Sequence, residues 1–302
     1  MPNQMNRYQM PDANGDPREG MQKMTGTNLL AHKRNAFSQN GEDGIVDYLL
    51  ERMGLRAQGV CCEFGAWDGL HLSNTRQLCL RGWTTILIEG DESRFEKLQV
   101  NSTNSPHVFP LNEYVDDGRN SLSELFLRYD LGRYSGALDL LSIDVDGLDY
   151  YLFEALDLKP KIICIEVNAG HDPSGTRLLD REIAKNNVGQ PLGSFVTAGH
   201  KLGYELVCYT ANAFFVRKDI CERFDIAPIP AAIAYQQFLD SLAPKEREWL
   251  YAVNLGLVDP FFCYHNHMLS GDRLGIGKIR CSLVRSKYAL IRRLGKLRRG
   301  AN

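Results

Sequence analysis

No segment of this chain approaches the roughly 18 consecutive apolar residues that a membrane-crossing helix needs. The first 35 residues also lack the unbroken apolar core of a secretory signal. They are rich in Asn, Gln, Gly, Pro and Met without periodicity, and read as a mobile polar tail. No C-x-x-C pair occurs among the 8 cysteines, and Cys61 and Cys62 are adjacent, a poor geometry for an ordinary disulfide. Zinc is therefore not expected. Buried free thiols in a reducing compartment, the cytoplasm, are the simpler reading. Charge of one sign is missing too: 35 Lys and Arg face 37 Asp and Glu, so no overall basic field points to a nucleic-acid partner. The G-x-G-x-x-G fingerprint of dinucleotide-binding folds is absent.

What is present is a globular composition, 44% hydrophobic and 24% charged over 302 residues, enough for one large core. Its most informative stretch is Gly59-Val-Cys-Cys-Glu-Phe-Gly-Ala-Trp-Asp-Gly69. An apolar strand ends in Glu63 and opens into a loop carrying Gly65 and Gly69, the way open α/β sheets present a ligand at their carboxyl edge. Glycines there allow tight turning and close backbone approach. A carboxylate at the strand tip suits a cationic amino-acid group, such as that of S-adenosylmethionine (SAM), and repels a pyrophosphate. A second apolar strand, from Thr84 to Ile88, ends in Glu89, close to the roughly 20-residue separation at which a second-strand acid reaches ribose hydroxyls. The plainer alternative is that Glu89 caps the helix beginning near Asp91.

Strand and helix patterns then alternate. A third strand, His107 to Leu111, ends in Asn112; a fourth, Ala137 to Ile143, ends in Asp144-Val145-Asp146-Gly147; a fifth, Lys161 to Ile165, ends in Glu166-Val167-Asn168 with His171 following. Helical patterns at 177–186 and 193–202 precede strands Tyr204 to Tyr209 and Ala213 to Arg217, joined tightly as a hairpin. This order predicts an α/β fold: a Rossmann-like seven-stranded sheet, mostly parallel with one antiparallel strand, as in class I methyltransferases. The expected domain spans 36–270, with helical decoration after residue 219. Ahead of it, Ser38-Gln39-Asn40-Gly41-Glu42-Asp43 leads into an amphipathic helix and carries more polar side chains than capping requires. That loop either caps the helix or closes over a ligand.

The chain resembles the FkbM-type methyltransferases, in the subgroup whose N-terminal motif reads S-Q-x-G-E-D. The likeness runs through residues 38–43, Glu63 to Gly69, Ser73-Asn74-Thr75, Ile88-Glu89, Ile143 to Gly147 and Ile165 to Asn168. It ends at the hairpin closing with Asn212-Ala213-Phe214-Phe215-Val216. Asp146 and Asp149 depart from the commoner pattern, which has Glu. The resemblance implies SAM as methyl donor and an oxygen acceptor on a sugar, glycan or related metabolite. It puts Glu63, Gly65 and Gly69 around the methionine portion, Glu89 on the ribose, and Asp144 beside the sulfonium. Gln39 and Asn112 join these as expected cofactor contacts.

An alcohol acceptor must lose its proton as the new bond forms. Asp144, Asp146 or His171 is a candidate general base. Alternatively a Mg²⁺-like cation held by Asp144, Glu166 and Asn168 acidifies the hydroxyl. The bland reading makes Asp144 and Asp146 caps of the following helix, and His171 a loop residue. Asp144-Val145-Asp146 is also a D-x-D triplet, which in glycosyltransferases holds a nucleotide-sugar metal. A methyltransferase-like binding protein without turnover is a third reading.

Residues 271–302 form the last segment. From Arg273 onward they contain ten Lys or Arg and no acid, with apolar residues at helical spacing. Such a basic amphipathic tail either lies on an anionic membrane surface, giving peripheral contact, or packs on the domain.

Overall fold

The computed structural model describes residues 28–185, 189–244 and 247. Order begins earlier than the composition suggests. A single 3-10 turn, Leu29–His32, capped by Asn28, buries Leu29, so ordered structure is already present ahead of Asn35. The reason is local: Leu29 enters the core and Leu30 packs beside it.

Seven strands form one sheet: β1 (Val60–Phe64), β2 (Thr84–Ile88), β3 (Val108–Leu111), β4 (Leu138–Ile143), β5 (Ile162–Glu166), β6 (Tyr204–Tyr209) and β7 (Asn212–Arg217). Their order is β3-β2-β1-β4-β5-β7-β6. The first five are parallel, while β7 runs antiparallel to both β5 and β6. This is the class I methyltransferase sheet. The hairpin expected from sequence is there, with its second strand inserted between β5 and β6.

Alternation along the strands fixes the two faces. Cys62, Phe64, Ile86, Ile88, Leu141, Ile143, Ile163, Ile165 and Phe215 point into one core layer. Helices α4 (Leu122–Arg128), α5 (Asp149–Glu154), α7 (Leu192–Leu202) and α9 (Ala231–Ser241) contribute to that layer. Cys61, Leu140, Ile162, Cys164, Phe214 and Val216 face the other layer, shared with α1 (Glu42–Arg52), Leu78 of α2 (Arg76–Leu80) and α8 (Lys218–Phe224). Helix α3 (Glu92–Ser102) covers the β2–β3 edge through Leu98. The helical pattern at 177–186 is realised only as one turn, α6 (Arg181–Ala184).

The six described cysteines are free and buried, as expected of structural thiols. Among the described residues no helix is long and apolar enough to cross a membrane. Residues 1–27, His265, His267, Cys263, Cys281 and the basic tail lie outside the described residues.

Candidate active site at the carboxyl edge of the sheet

Parallel strands bring their carboxyl ends to one edge, and the acids singled out above meet there. Glu63, at the end of β1, is buried and already occupied. Its Oε2 accepts the hydroxyls of Ser73 and Thr75, both at 2.6 Å, and its Oε1 accepts Asn74 N at 2.9 Å. Burial raises its pKa, and these hydrogen bonds work against that rise. The side chain therefore organises the Ser73–Thr75 loop, and Asn74 in turn donates to Ser142 Oγ of β4 at 3.0 Å. Gly65 has φ +75°, and a Cβ there would lie 1.6 Å from the carbonyl oxygen of Asp144, so the loop is wedged against β4. Gly69 also has positive φ, and its amide donates to Ala66 O at 2.8 Å.

Glu89, at the tip of β2, caps no helix. That cap is Asp91, whose Oδ1 accepts Arg94 N. Glu89 instead accepts Trp67 N through Oε2 and Asp91 N through Oε1, each at 2.8 Å. Each oxygen keeps a second acceptor position. Asn112 steadies this tip rather than reaching outward with its amide nitrogen, which donates to Glu89 O (2.8 Å) and Gly90 O (3.4 Å). The exposed Tyr114 ring lies over Gly90, where a Cβ would come within 2.3 Å of it.

At the tips of β4 and β5, Asp144, Asp149 and Glu166 each place a carboxylate oxygen within 4.8 Å of the others. Desolvation, followed by the charges of Asp149, Asp146 and Glu63, pushes Asp144 well above the usual carboxylate range. Glu166 is raised for the same reasons, desolvation first and then Asp144. The two carboxyls are in contact and titrate together, each shifted upward by burial and by the neighbouring acids. Buried Asp149 is pushed up to about 6 by desolvation, although it accepts Val145 N and Gly147 N at 2.9 Å each.

Asp149 was not among the candidate site residues; Asp146 was, and it is not in the trio. The turn inverts Asp146 to φ +57° and Gly147 to φ +111°. Nor do Asp144 and Asp146 cap the helix: the N-cap of α5 is Leu148, without a side-chain bond, and Asp149 ties the turn instead. Asn168 is engaged in its own turn, with Oδ1 accepting Gly170 N at 2.8 Å. The carboxylates that converge here are Asp144, Asp149 and Glu166, so Asp149 joins the expected Asp144 and Glu166. Half-buried His171 sits in the same turn, its amide donating to Asn168 O at 3.5 Å.

The loop before α1 is held by its two acids. Asp43 Oδ2 accepts the amides of Ala36, Phe37 and Ser38 (2.8–2.9 Å) and Ser38 Oγ (2.6 Å), while Ser38 Oγ also accepts Asp43 N at 3.1 Å. Fully buried Glu42 takes Thr210 Oγ1 at 2.7 Å and Asn212 Nδ2 at 3.1 Å, and closes back on Asn40 N at 2.6 Å. Asn212 is opposite Glu166 in the sheet. The Gln39 carbonyl accepts Asn35 Nδ2 at 2.9 Å.

No protein-family model matches this chain, and no curated protein matches it. Among solved structures, a TehB-like SAM-dependent methyltransferase from Corynebacterium glutamicum is 14% identical over 67% of this chain and 97% of its own, with a TM-score of 0.36. The N-terminal domain of EvdMO1, with S-adenosylhomocysteine (SAH) bound, is 14% identical over 67% of this chain and 95% of its own, TM-score 0.39. Phosphoethanolamine N-methyltransferase 2 of Haemonchus contortus, in complex with SAM, is 14% identical over 70% of this chain and 47% of its own, TM-score 0.36. Likenesses this distant say nothing of substrate. The FkbM-type resemblance rests on the short motifs alone.

Proposed function

We propose that this protein is a SAM-dependent methyltransferase acting on a hydroxyl of a sugar, glycan or related metabolite, as in FkbM-type enzymes. The observation that carries the cofactor reading is Glu89. A buried acid at the β2 tip, aligned by two backbone amides and with acceptor positions to spare, suits a pair of ribose hydroxyls. Around it, the glycine loop after β1 allows close approach, Tyr114 beside Gly90 offers a flat apolar surface, and Glu63 marks the β1 tip as the place for the amino group. Bound there, SAM supplies an activated methyl group whose leaving group is a neutral thioether.

The acceptor side is the Asp144–Asp149–Glu166 trio. Asp144 accepts the hydroxyl proton, and the adjacent Glu166 shares the load, since two neighbouring carboxyls do not readily carry two charges at once. Should the protein take Mg²⁺, these three carboxylates are its oxygen donors, and the metal's role is to acidify the hydroxyl. A D-x-D glycosyltransferase is disfavoured because the glycine loop after Glu63 and the acid at Glu89 have no part in that chemistry.

Calorimetry with SAM, SAH and UDP-sugars tests the reading. Micromolar heats with SAM and SAH are expected, and binding of UDP-sugars alone would overturn it. Glu89→Ala should weaken SAM by ~1.5–3 kcal/mol, the scale of hydrogen bonds to a charged group. Unchanged affinity in a folded variant would remove the ribose assignment. For the basic tail, peripheral attachment to anionic membrane is proposed: deleting residues 273–302 should abolish co-sedimentation with phosphatidylserine vesicles and leave SAH binding intact. Equal sedimentation of both forms would exclude the anchor.

A further inference from the structure

Two segments that leave the sheet at distant strands meet through an ion pair. Asp117 lies in the loop after β3, and Arg181 in the segment after β5; β2, β1 and β4 stand between those strands. The bridge is bidentate, Arg181 Nη1 to Asp117 Oδ2 at 2.6 Å and Nη2 to Oδ1 at 2.9 Å. It lowers the pKa of Asp117 and raises that of Arg181.

Both anchors of the span are firm. On the β3 side, Asn112 and Tyr114 sit on the β2 tip at Glu89 and Gly90. Asp116 Oδ1 folds the loop on itself by accepting Gly118 N and Asn120 N, each at 2.8 Å. On the β5 side, the Arg181 guanidinium lies 4.6 Å from the ring centre of Tyr151, a residue of α5 just beyond the Asp144–Leu148 turn. Fully buried Gln190 holds the same segment, accepting Leu179 N (2.8 Å) and donating to Leu179 O (3.0 Å) and the Tyr151 hydroxyl (3.1 Å). Only the joint between the two anchors is weak. The Arg181 and Asp117 side chains are 44% and 32% exposed, so solvent and salt screen the pair and it opens easily.

We propose that the Asp117–Arg181 bridge is a strap across the mouth of the site, from its nucleoside side to its acceptor side, closing over the cofactor and setting its rate of release. The proposal rests on the SAM reading, because its anchors flank Glu89 on one side and the β4 turn on the other. The pair touches no reacting atom and is a positioning device. A guanidinium stacked on Tyr151 is aimed before the bridge forms, which favours reclosure over loss of the segment.

The test is SAH release from the full-length protein, followed by stopped flow after displacement with excess unlabelled ligand. Arg181→Ala and Asp117→Asn should each speed release about fivefold, the factor expected from a screened pair worth up to ~1 kcal/mol. The double variant should be no faster than either single one, as coupled partners require. The charge swap Arg181→Asp with Asp117→Arg should recover part of the slow release, which loss of an unrelated packing contact would not. Wild-type release should quicken with NaCl and that of the single variants should not. Hydrogen exchange on the ligand-free variants should rise at 113–120 and 172–185 and stay unchanged in the sheet, confirming folded protein. Unchanged release in both single variants, with SAH still bound by the wild type, overturns the strap. No SAH binding by the wild type is a different result and removes the nucleoside reading together with the strap.

Discussion

Asp144→Asn should leave SAM affinity unchanged and lower turnover by ~10²–10⁴-fold, the range for a positioned proton transfer. The amide keeps the shape of the carboxylate but cannot take a proton. Helix capping gives the opposite expectation, since Asn is as good a cap as Asp. It is already disfavoured, because the turn is tied by Asp149 through Val145 N and Gly147 N. Full activity of Asp144→Asn would sink both the base and the cation roles. Chelation separates those two: loss of wild-type activity in EDTA, restored by Mg²⁺ or Mn²⁺, assigns Asp144 to a cation, and indifference to EDTA assigns it to the proton.

The same trio makes a statement about pH. Asp144, Asp149 and Glu166 all have folded pKa values above those of the unfolded chain, Asp149 reaching about 6. An acid raised in this way favours the protonated fold. Its stabilising contribution is complete below the unfolded value near 4 and is lost as pH rises through the folded value. The metal-free protein should therefore lose melting temperature between about pH 4 and 7 from this cluster, while activity that needs an ionised Asp144 climbs over the alkaline side. Asp149→Asn should flatten the stability trend. A melting temperature that rises steadily over that interval in wild type and variant alike would show that these carboxyls are not held protonated.

The fold was legible because every strand is a short apolar run broken by a polar tip, and buried parallel strands require that pattern. Glu63, Glu89, Asp144 and Glu166 were visible as acids at strand ends, where topology alone brings them to one edge. Side-chain direction was not visible. Glu63 faces inward to Ser73, Asn74 and Thr75, and the only hint was the run of hydrogen-bonding residues ten positions on. Asp146 is the conspicuous acid in the D-x-D, yet positive φ at Asp146 and Gly147 turns the chain so that Asp149, the first residue of α5, is the one that joins Asp144 and Glu166. Glu42 reaches Thr210 and Asn212 across some 170 positions of sequence, a pairing no local pattern announces.

The largest structural effect is expected at Gly65. Its φ of +75° alone costs an alanine about 1–2 kcal/mol, because the left-handed region crowds Cβ against the backbone. The added methyl also meets the Asp144 carbonyl oxygen at 1.6 Å and its carbon at 2.7 Å, and these are backbone atoms with no rotamer to yield. Opening that contact means parting the β1 loop from β4, where Asp144 N donates to Phe64 O at 3.2 Å. Overpacking of this kind adds ~1–3 kcal/mol, so Gly65→Ala should lose about 2–5 kcal/mol in urea unfolding. Gly82→Ala is the matched control, with φ +85° and nothing within 4 Å of the new Cβ, and should lose only the backbone share. Gly65→Ala should also weaken SAH binding and turnover together, because the loop carrying Trp67 N to Glu89 and the turn carrying Asp144 move apart. Equal midpoints for the two alanine variants would mean that the loop is not wedged against β4, and the close approach that joins the cofactor side to the acceptor side would have to be abandoned.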